Sequence, residues 1–127
     1  MRSVDQVSAY EADGVFVLGI ADTDWDGFIF QIPISDDLIP DNLTYYVGLS
    51  VDQQGLDGGI LSVSLGGGFL ELGFTEMARD ELLMPDSSMR WPVTLEANDR
   101  ETLRQGLIRI FTYGVEAEKP SLSLELE

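Results

Sequence analysis

Residues 58–83 read GGILSVSLGGGFLELGFTEMARDELL, and this stretch decides the fold, because it encodes two strands joined by a glycine turn and running directly into a helix. Ile60, Ser62 and Ser64 alternate with Leu61, Val63 and Leu65, the period of two expected of a strand with unlike faces. Gly66-Gly67-Gly68 supplies a turn, and Phe69, Leu70, Leu72 and Phe74 supply the returning strand. Thr75 then stands at a helix N-cap, with Glu76 in the first turn and Met77, Ala78, Leu82 and Leu83 as the apolar positions. The rest of the chain has to cover this unit.

Toward the N-terminus, Val4 to Tyr10 and the β-branched run Val15 to Ile20 flank Asp13-Gly14, a two-residue hairpin signal. Asp22 to Gly27 is a polar turn, Phe28 to Ile32 a third strand that Pro33 ends or confines to an edge, and SDDLIPDN at 35–42 an exposed acidic loop. Thr44 to Val51 forms a fourth strand, and residues 52–59 a loop with glycines at 55, 58 and 59. Toward the C-terminus, Pro85 to Ser88 breaks the chain, and Trp91 to Glu96 reads as a strand that Pro92 places at a sheet edge. Asn98 with Glu101 three residues on resembles a capping box, and Leu103, Leu107, Ile110 and Phe111 form the apolar stripe of a second helix, with Gly114 placed to end it. Gly106 inside that helix costs about 1 kcal/mol relative to alanine, which points to a close packing contact.

These elements predict a single domain over residues 1–127 of α+β class, a mostly antiparallel sheet of about six to eight strands with two α-helices packed on one face. Residues 115–127 end in the alternating SLSLELE, either an extra strand or a loose tail. A content of 44% hydrophobic residues is ample for a core.

Charge is the most informative feature outside the strands. The chain has 23 acidic and 7 basic residues, a net charge of −16. Residues 1–78 hold 13 acidic residues against one basic, whereas residues 79–127 hold 10 against 6. Such a molecule repels nucleic-acid phosphates and anionic membranes and steers basic partners toward itself, an effect that salt weakens. No nucleic-acid or membrane partner is therefore expected.

With no cysteine and no histidine, the chain lacks disulfides, thiol nucleophiles, imidazole bases and most zinc or copper ligands. No apolar run reaches the roughly 18 residues of a membrane span, and the first residues lack a signal-peptide core, so a cytoplasmic location is expected. The glycines at 66–68 are followed by a strand and by no phosphate-loop lysine, and the only lysine, Lys119, sits beside a proline near the end. We expect neither an enzyme nor a cofactor. Asp22, Asp24, Asp26 and Gly27 match the first half of a calcium loop, but Pro33 stands where the bidentate glutamate belongs, so the metal expectation is none beyond this partial match. Exposed aromatics beside acidic groups make better interface anchors, because buried rings carry most interface energy, and Trp25, Tyr45 and Tyr46 are candidates. The competing reading for the two tyrosines is burial in the core or over a sheet face.

The segment FQIPISDDLIPDNLTYYVGLSVDQQGLDGGILSVSLGGGFLELGFTEMARDELL, followed by WPVTLEA and LRQGLIRIF, resembles the immunity protein 10 family of bacterial polymorphic toxin systems. The resemblance runs from about Val15 to Phe111 and rests on the order of elements, with a Phe-Thr-x-x-Ala helix start and a closing L-R-x-x-L-x-R-I-F helix. It implies an α+β protein without catalysis that binds and blocks a cognate toxin domain; the acidic charge of this chain in turn suits a toxin with a basic cleft, such as a nuclease. On that reading Asp36, Asp37, Asp41, Asp52 and Asp57, with Tyr45, are the expected partner-binding residues of a monomer or weak homodimer. The alternative is a non-catalytic structural or adaptor module that oligomerises through a sheet edge, either the Trp91 strand or the SLSLELE tail.

Overall fold

A computed structural model describes residues 1–34, 44–50, 55–114 and 119–124. Nine strands and two helices follow in the order β1 (Gln6–Ala12), β2 (Val15–Ala21), β3 (Gly27–Pro33), β4 (Tyr46–Leu49), β5 (Gly55–Asp57), β6 (Ile60–Gly66), β7 (Phe69–Phe74), α1 (Glu76–Glu81), β8 (Ser88–Pro92), α2 (Ala97–Phe111) and β9 (Ser121–Leu124). The class is α+β, as expected, but the strands divide between two sheets. One is a five-stranded meander, β1-β2-β3-β4-β5, and the other has the order β8-β7-β6-β9. Every pairing is antiparallel except β6 with β9. None of the helices among the described residues is long and apolar enough to cross a membrane.

The decisive stretch folds as read. β6 pairs with β7 through a turn at Gly67-Gly68, and the Thr75 hydroxyl accepts the Ala78 N–H at 3.1 Å as the N-cap of α1. Only half of the apolar positions expected in α1 face the core. Ala78 and Leu82 are fully buried, whereas Met77 and Leu83 are exposed, because a helix of six residues has too few turns for a broad buried stripe.

The first hairpin also forms as expected, with Asp13 and Gly14 both at positive φ, the geometry of a turn whose twist matches its strands. Residues 55–57, expected to be loop, instead add β5 to β4, and the Tyr46 ring lies over Gly55, where an added Cβ would come within 2.5 Å of the ring carbon Cζ. An edge strand of three residues is too short to show the alternation by which strands are recognised. β8 runs over Ser88–Pro92 and so overlaps the expected Trp91 to Glu96 strand only at Trp91 and Pro92, and it lies at a sheet edge as Pro92 requires. The tail contributes β9 at the opposite edge.

β3 organises the core, for its alternate residues Phe28, Phe30 and Ile32 are all buried. Phe28 meets Phe74 of β7 at 6.3 Å and Trp91 of β8 at 5.4 Å between ring centroids, joining the two sheets. Phe30 meets Phe111 of α2 at 5.4 Å, so the same strand also anchors the long helix. α2 packs on β1, β2 and β3 of the five-stranded sheet, while α1 lies against β5 of that sheet and β7 of the other, at the seam between the two. The stripe Leu103, Leu107, Ile110 and Phe111 is buried throughout. Gly106 meets Leu18, whose Cδ1 would stand 2.6 Å from an added Cβ, which is the close contact the sequence pointed to.

α2 begins at Ala97 with Glu96 as N-cap and no side-chain capping bond, two residues before the expected Asn98 cap. Leu95, buried in the core, fixes the chain immediately before it, and alanine at the first helical position favours the earlier start. The helix ends at Phe111 with Thr112 as cap, so Gly114, at φ +98°, follows the cap by two residues.

The first five residues tie the sheets together. Val4 donates to the Pro92 carbonyl at 2.8 Å and accepts from the Thr94 N–H at 3.0 Å, and the Asp5 N–H reaches Ala21 of the other sheet at 3.0 Å. The Asp5 carboxylate accepts the Thr94 hydroxyl at 2.6 Å and the Ser3 hydroxyl at 2.8 Å, which together hold it below the usual carboxylate range.

Candidate protein-interaction surface

The register of β1, β2 and β3 sorts their residues onto two faces. Phe16, Leu18 and Ile20 pair with Ile32, Phe30 and Phe28 on the inner face and are buried. The outer face aligns Ser8 with Gly19 and Gly19 with Ile29, and Tyr10 with Val17 and Val17 with Gln31. Because Gly19 has no side chain, the middle of this face is depressed. An added Cβ there would already stand 3.1 Å from the Ser8 hydroxyl oxygen. The result is a shallow groove of about 290 Å³ with Gly19, Val17 and Ile29 among its lining and with Tyr10 and Trp25 beside it.

Both rings are exposed, Tyr10 to 52% and Trp25 to 68%. Trp25 is held at φ +64°, a left-handed conformation that is a genuine outlier for a bulky side chain and costs on the order of 1–3 kcal/mol. An exposed ring recovers little of that cost by packing.

The strain is fixed by the turn that carries Trp25. Asp22, only 2% exposed, accepts the backbone N–H groups of Asp24 at 2.9 Å and Asp26 at 3.2 Å on one carboxylate oxygen and that of Arg2 at 3.0 Å on the other. Burial raises the Asp22 pKa, but these three donors outweigh it and hold the carboxyl below its ordinary range. The Trp25 N–H closes the turn on the Asp22 carbonyl at 3.1 Å, and the Ser50 hydroxyl donates to the Trp25 carbonyl at 2.7 Å. Arg2 pairs with Asp24 and the Met1 amino group with Asp26.

This arrangement corrects the partial calcium-loop match at Asp22, Asp24 and Asp26. The Asp22 carboxylate binds backbone N–H groups and lies 3.8 Å from the Arg2 Nε, Asp24 pairs with the same guanidinium and Asp26 with the Met1 amino group, so donors and cations of the chain itself engage all three. Among the described residues no group of three or more His, Cys, Asp or Glu side chains is placed to hold a metal.

Tyr45 requires a second correction. It is fully buried and cannot anchor a partner: its ring meets Phe111 at 4.8 Å, and its hydroxyl accepts the Ile60 N–H at 2.8 Å and donates to the Ile60 carbonyl at 3.3 Å. A tyrosine just before a strand can turn to either side, and the aromatic wall of α2 settles which. Asp57 is exposed on β5, opposite Tyr46 and on the outer face of the same sheet as the groove. Asp36, Asp37, Asp41 and Asp52 lie outside the described residues.

The Gly19 groove escaped sequence reading because it exists only through strand pairing; a glycine within the apolar run VFVLGIA was its one local signal. A second groove of about 430 Å³ lies between α2 and β1, but its cation is already committed, since Arg109 stacks 4.1 Å from the Phe16 ring centroid and bonds Glu11 at 2.7 Å.

Compared with models of known protein families, with curated proteins and with solved structures, the chain finds no match in any of the three.

Proposed function

We propose that the chain is an immunity protein, which binds a cognate bacterial toxin domain with a basic active-site cleft, such as a nuclease, and neutralises it in the cytoplasm. The observation that supports this most directly is the pairing of a net charge of −16 with an outer sheet face on which two aromatic rings stand exposed. The charge steers a basic partner, raising association rates by roughly 10–10³-fold at low salt, while rings in a desolvated contact supply most of the affinity. Asp36, Asp37, Asp41, Asp52 and Asp57 contribute to that field as five of the 13 acidic residues in the first 78. The element order that resembles the immunity protein 10 family gives the reading its specific form.

The test is growth rescue. A host expressing the toxin domain encoded beside this chain's gene should survive when the chain is co-expressed, and purified toxin should bind it at a rate that falls steeply with salt. Replacing the five aspartates by asparagine should slow association and flatten that salt dependence. A neighbouring metabolic operon with no toxin gene, or a toxin that kills equally with and without the chain, would defeat the proposal.

A second reading, an adaptor that self-associates through a sheet edge, draws on the positions of β8 and β9 at the two edges of their sheet. The N-terminal segment already occupies the end of β8, through Val4, which leaves β9 as the better edge. Equal size-exclusion volumes with and without residues 115–127 would remove it.

A further inference from the structure

We propose that the groove over Gly19 is the place where the partner docks a basic segment, with the aliphatic stem of an arginine or lysine against Tyr10 and Trp25 and its cation toward the Asp24–Asp26 turn. This rests on the immunity reading for the partner's identity, though its chemistry is argued from the groove itself.

Three observations select this occupant. Among the described residues of the outer face of β1–β5, namely the alternate positions from Gln6 to Ala12, Val15 to Ala21, Gly27 to Pro33, Tyr46, Gly48, Gly55 and Asp57, there is no lysine or arginine. Acidic groups bound it instead, with Asp13 in the β1–β2 turn, Asp24 and Asp26 beside Trp25, and Asp57 on β5. The Arg2 and Met1 cations each engage a single oxygen of Asp24 and Asp26, and the second oxygen of each carboxylate accepts no hydrogen bond among the described residues. A planar guanidinium with five donors suits such unpaired oxygens, and it stacks on aromatic faces at the same time.

The strained Trp25 adds a further argument about which residue matters. Asparagine adopts the left-handed conformation far more readily than tryptophan, so folding alone would be served better by asparagine at this turn. The ring is therefore explained by what it touches in a complex, and Trp25→Asn removes it without disturbing the turn.

The experiment uses the full chain, labelled with nitrogen-15, and a capped peptide alternating arginine and leucine. Its counterpart with citrulline for arginine keeps shape and hydrogen bonding but loses charge. Saturable shifts are expected at the Trp25 indole and the Gly19 and Ile29 amides with the arginine peptide, at least ~10-fold weaker with citrulline and with Trp25→Asn. Folding of the variant is read from the buried Trp91, whose emission should not change. Shifts spread over the acidic surface, equal binding of the citrulline peptide, or shifts that appear with protein concentration alone would overturn the proposal; the last two would point to an apolar peptide or to a second copy of this chain. Growth rescue separates the two levels. Rescue by Trp25→Asn equal to wild type removes the groove and leaves neutralisation standing, whereas peptide binding at the groove without rescue by wild type leaves the groove and removes the toxin.

Discussion

Replacing Tyr45 by phenylalanine isolates one buried oxygen. The ring's contact with Phe111 is kept, so the apolar burial hardly changes, and the loss is confined to the hydroxyl that bridges the Ile60 N–H at 2.8 Å and carbonyl at 3.3 Å. Ile60 is 3% exposed at the first residue of β6, next to a register irregularity between Ile60 and Ser62, so water has little access to replace the lost acceptor. A buried donor left without a partner costs about 1–3 kcal/mol. For a small domain with a urea m-value of about 1–3 kcal/mol/M, a loss near 2 kcal/mol lowers the unfolding midpoint by roughly 0.7–2 M with m unchanged. Trp91, buried against Phe28, reports the transition by fluorescence. Growth rescue at low temperature should be untouched, because Tyr45 is fully buried and presents no surface to a toxin. A midpoint within about 0.2 M of wild type would refute the argument that this hydroxyl holds the start of β6, and lost rescue in a stable variant would return Tyr45 to the interface.

Gly27→Ala should be among the most damaging single substitutions. Its Cβ would press on the Ile20 carbonyl and stand 2.7 Å from the Ala21 Cα, backbone atoms of a paired strand that cannot swing aside, so a loss at or above the ~1–3 kcal/mol of ordinary overpacking is expected in thermal unfolding. Thr75→Ala removes the N-cap bond of α1 and should cost about 1 kcal/mol by urea denaturation, with Thr75→Ser close to wild type. Asp22 and Asp5 both have folded pKa values below their unfolded ones. Their contribution to stability is thus complete above the ordinary carboxylate pKa of about 3.9 and is lost as pH falls through the lower folded values. Asp22→Asn should be destabilised at pH 7, and its deficit relative to wild type should shrink on acidification; a constant deficit in midpoints measured across that range would show that the carboxylate charge is not what holds the turn.

Local chemistry made much of this fold legible. The Asp13-Gly14 turn, the Thr75 cap, the Leu103–Phe111 stripe and the edge position forced by Pro92 are each decided by a few neighbouring residues, and each stands where it was expected. The division into two sheets was not legible, because it depends on which strand faces bury against each other, and Phe28 decides that by reaching Phe74 and Trp91 more than 40 residues away. Nor was the inward turn of Tyr45, which needs Phe111 as a wall.

What the sequence determined by itself was class, the Asp13-Gly14 turn, the Thr75 cap and charge: backbone preference, hydrophobic period and ionisation act over one to four residues or need no geometry at all. What the tertiary structure alone decided was the surface. Gly19 becomes the floor of a groove only when Ser8 and Ile29 are set beside it, and Trp25 is exposed and strained only because Asp22, buried against the backbone of Arg2, closes the turn beneath it. Pairing between distant strands brings those residues together, and no pattern along one strand records it.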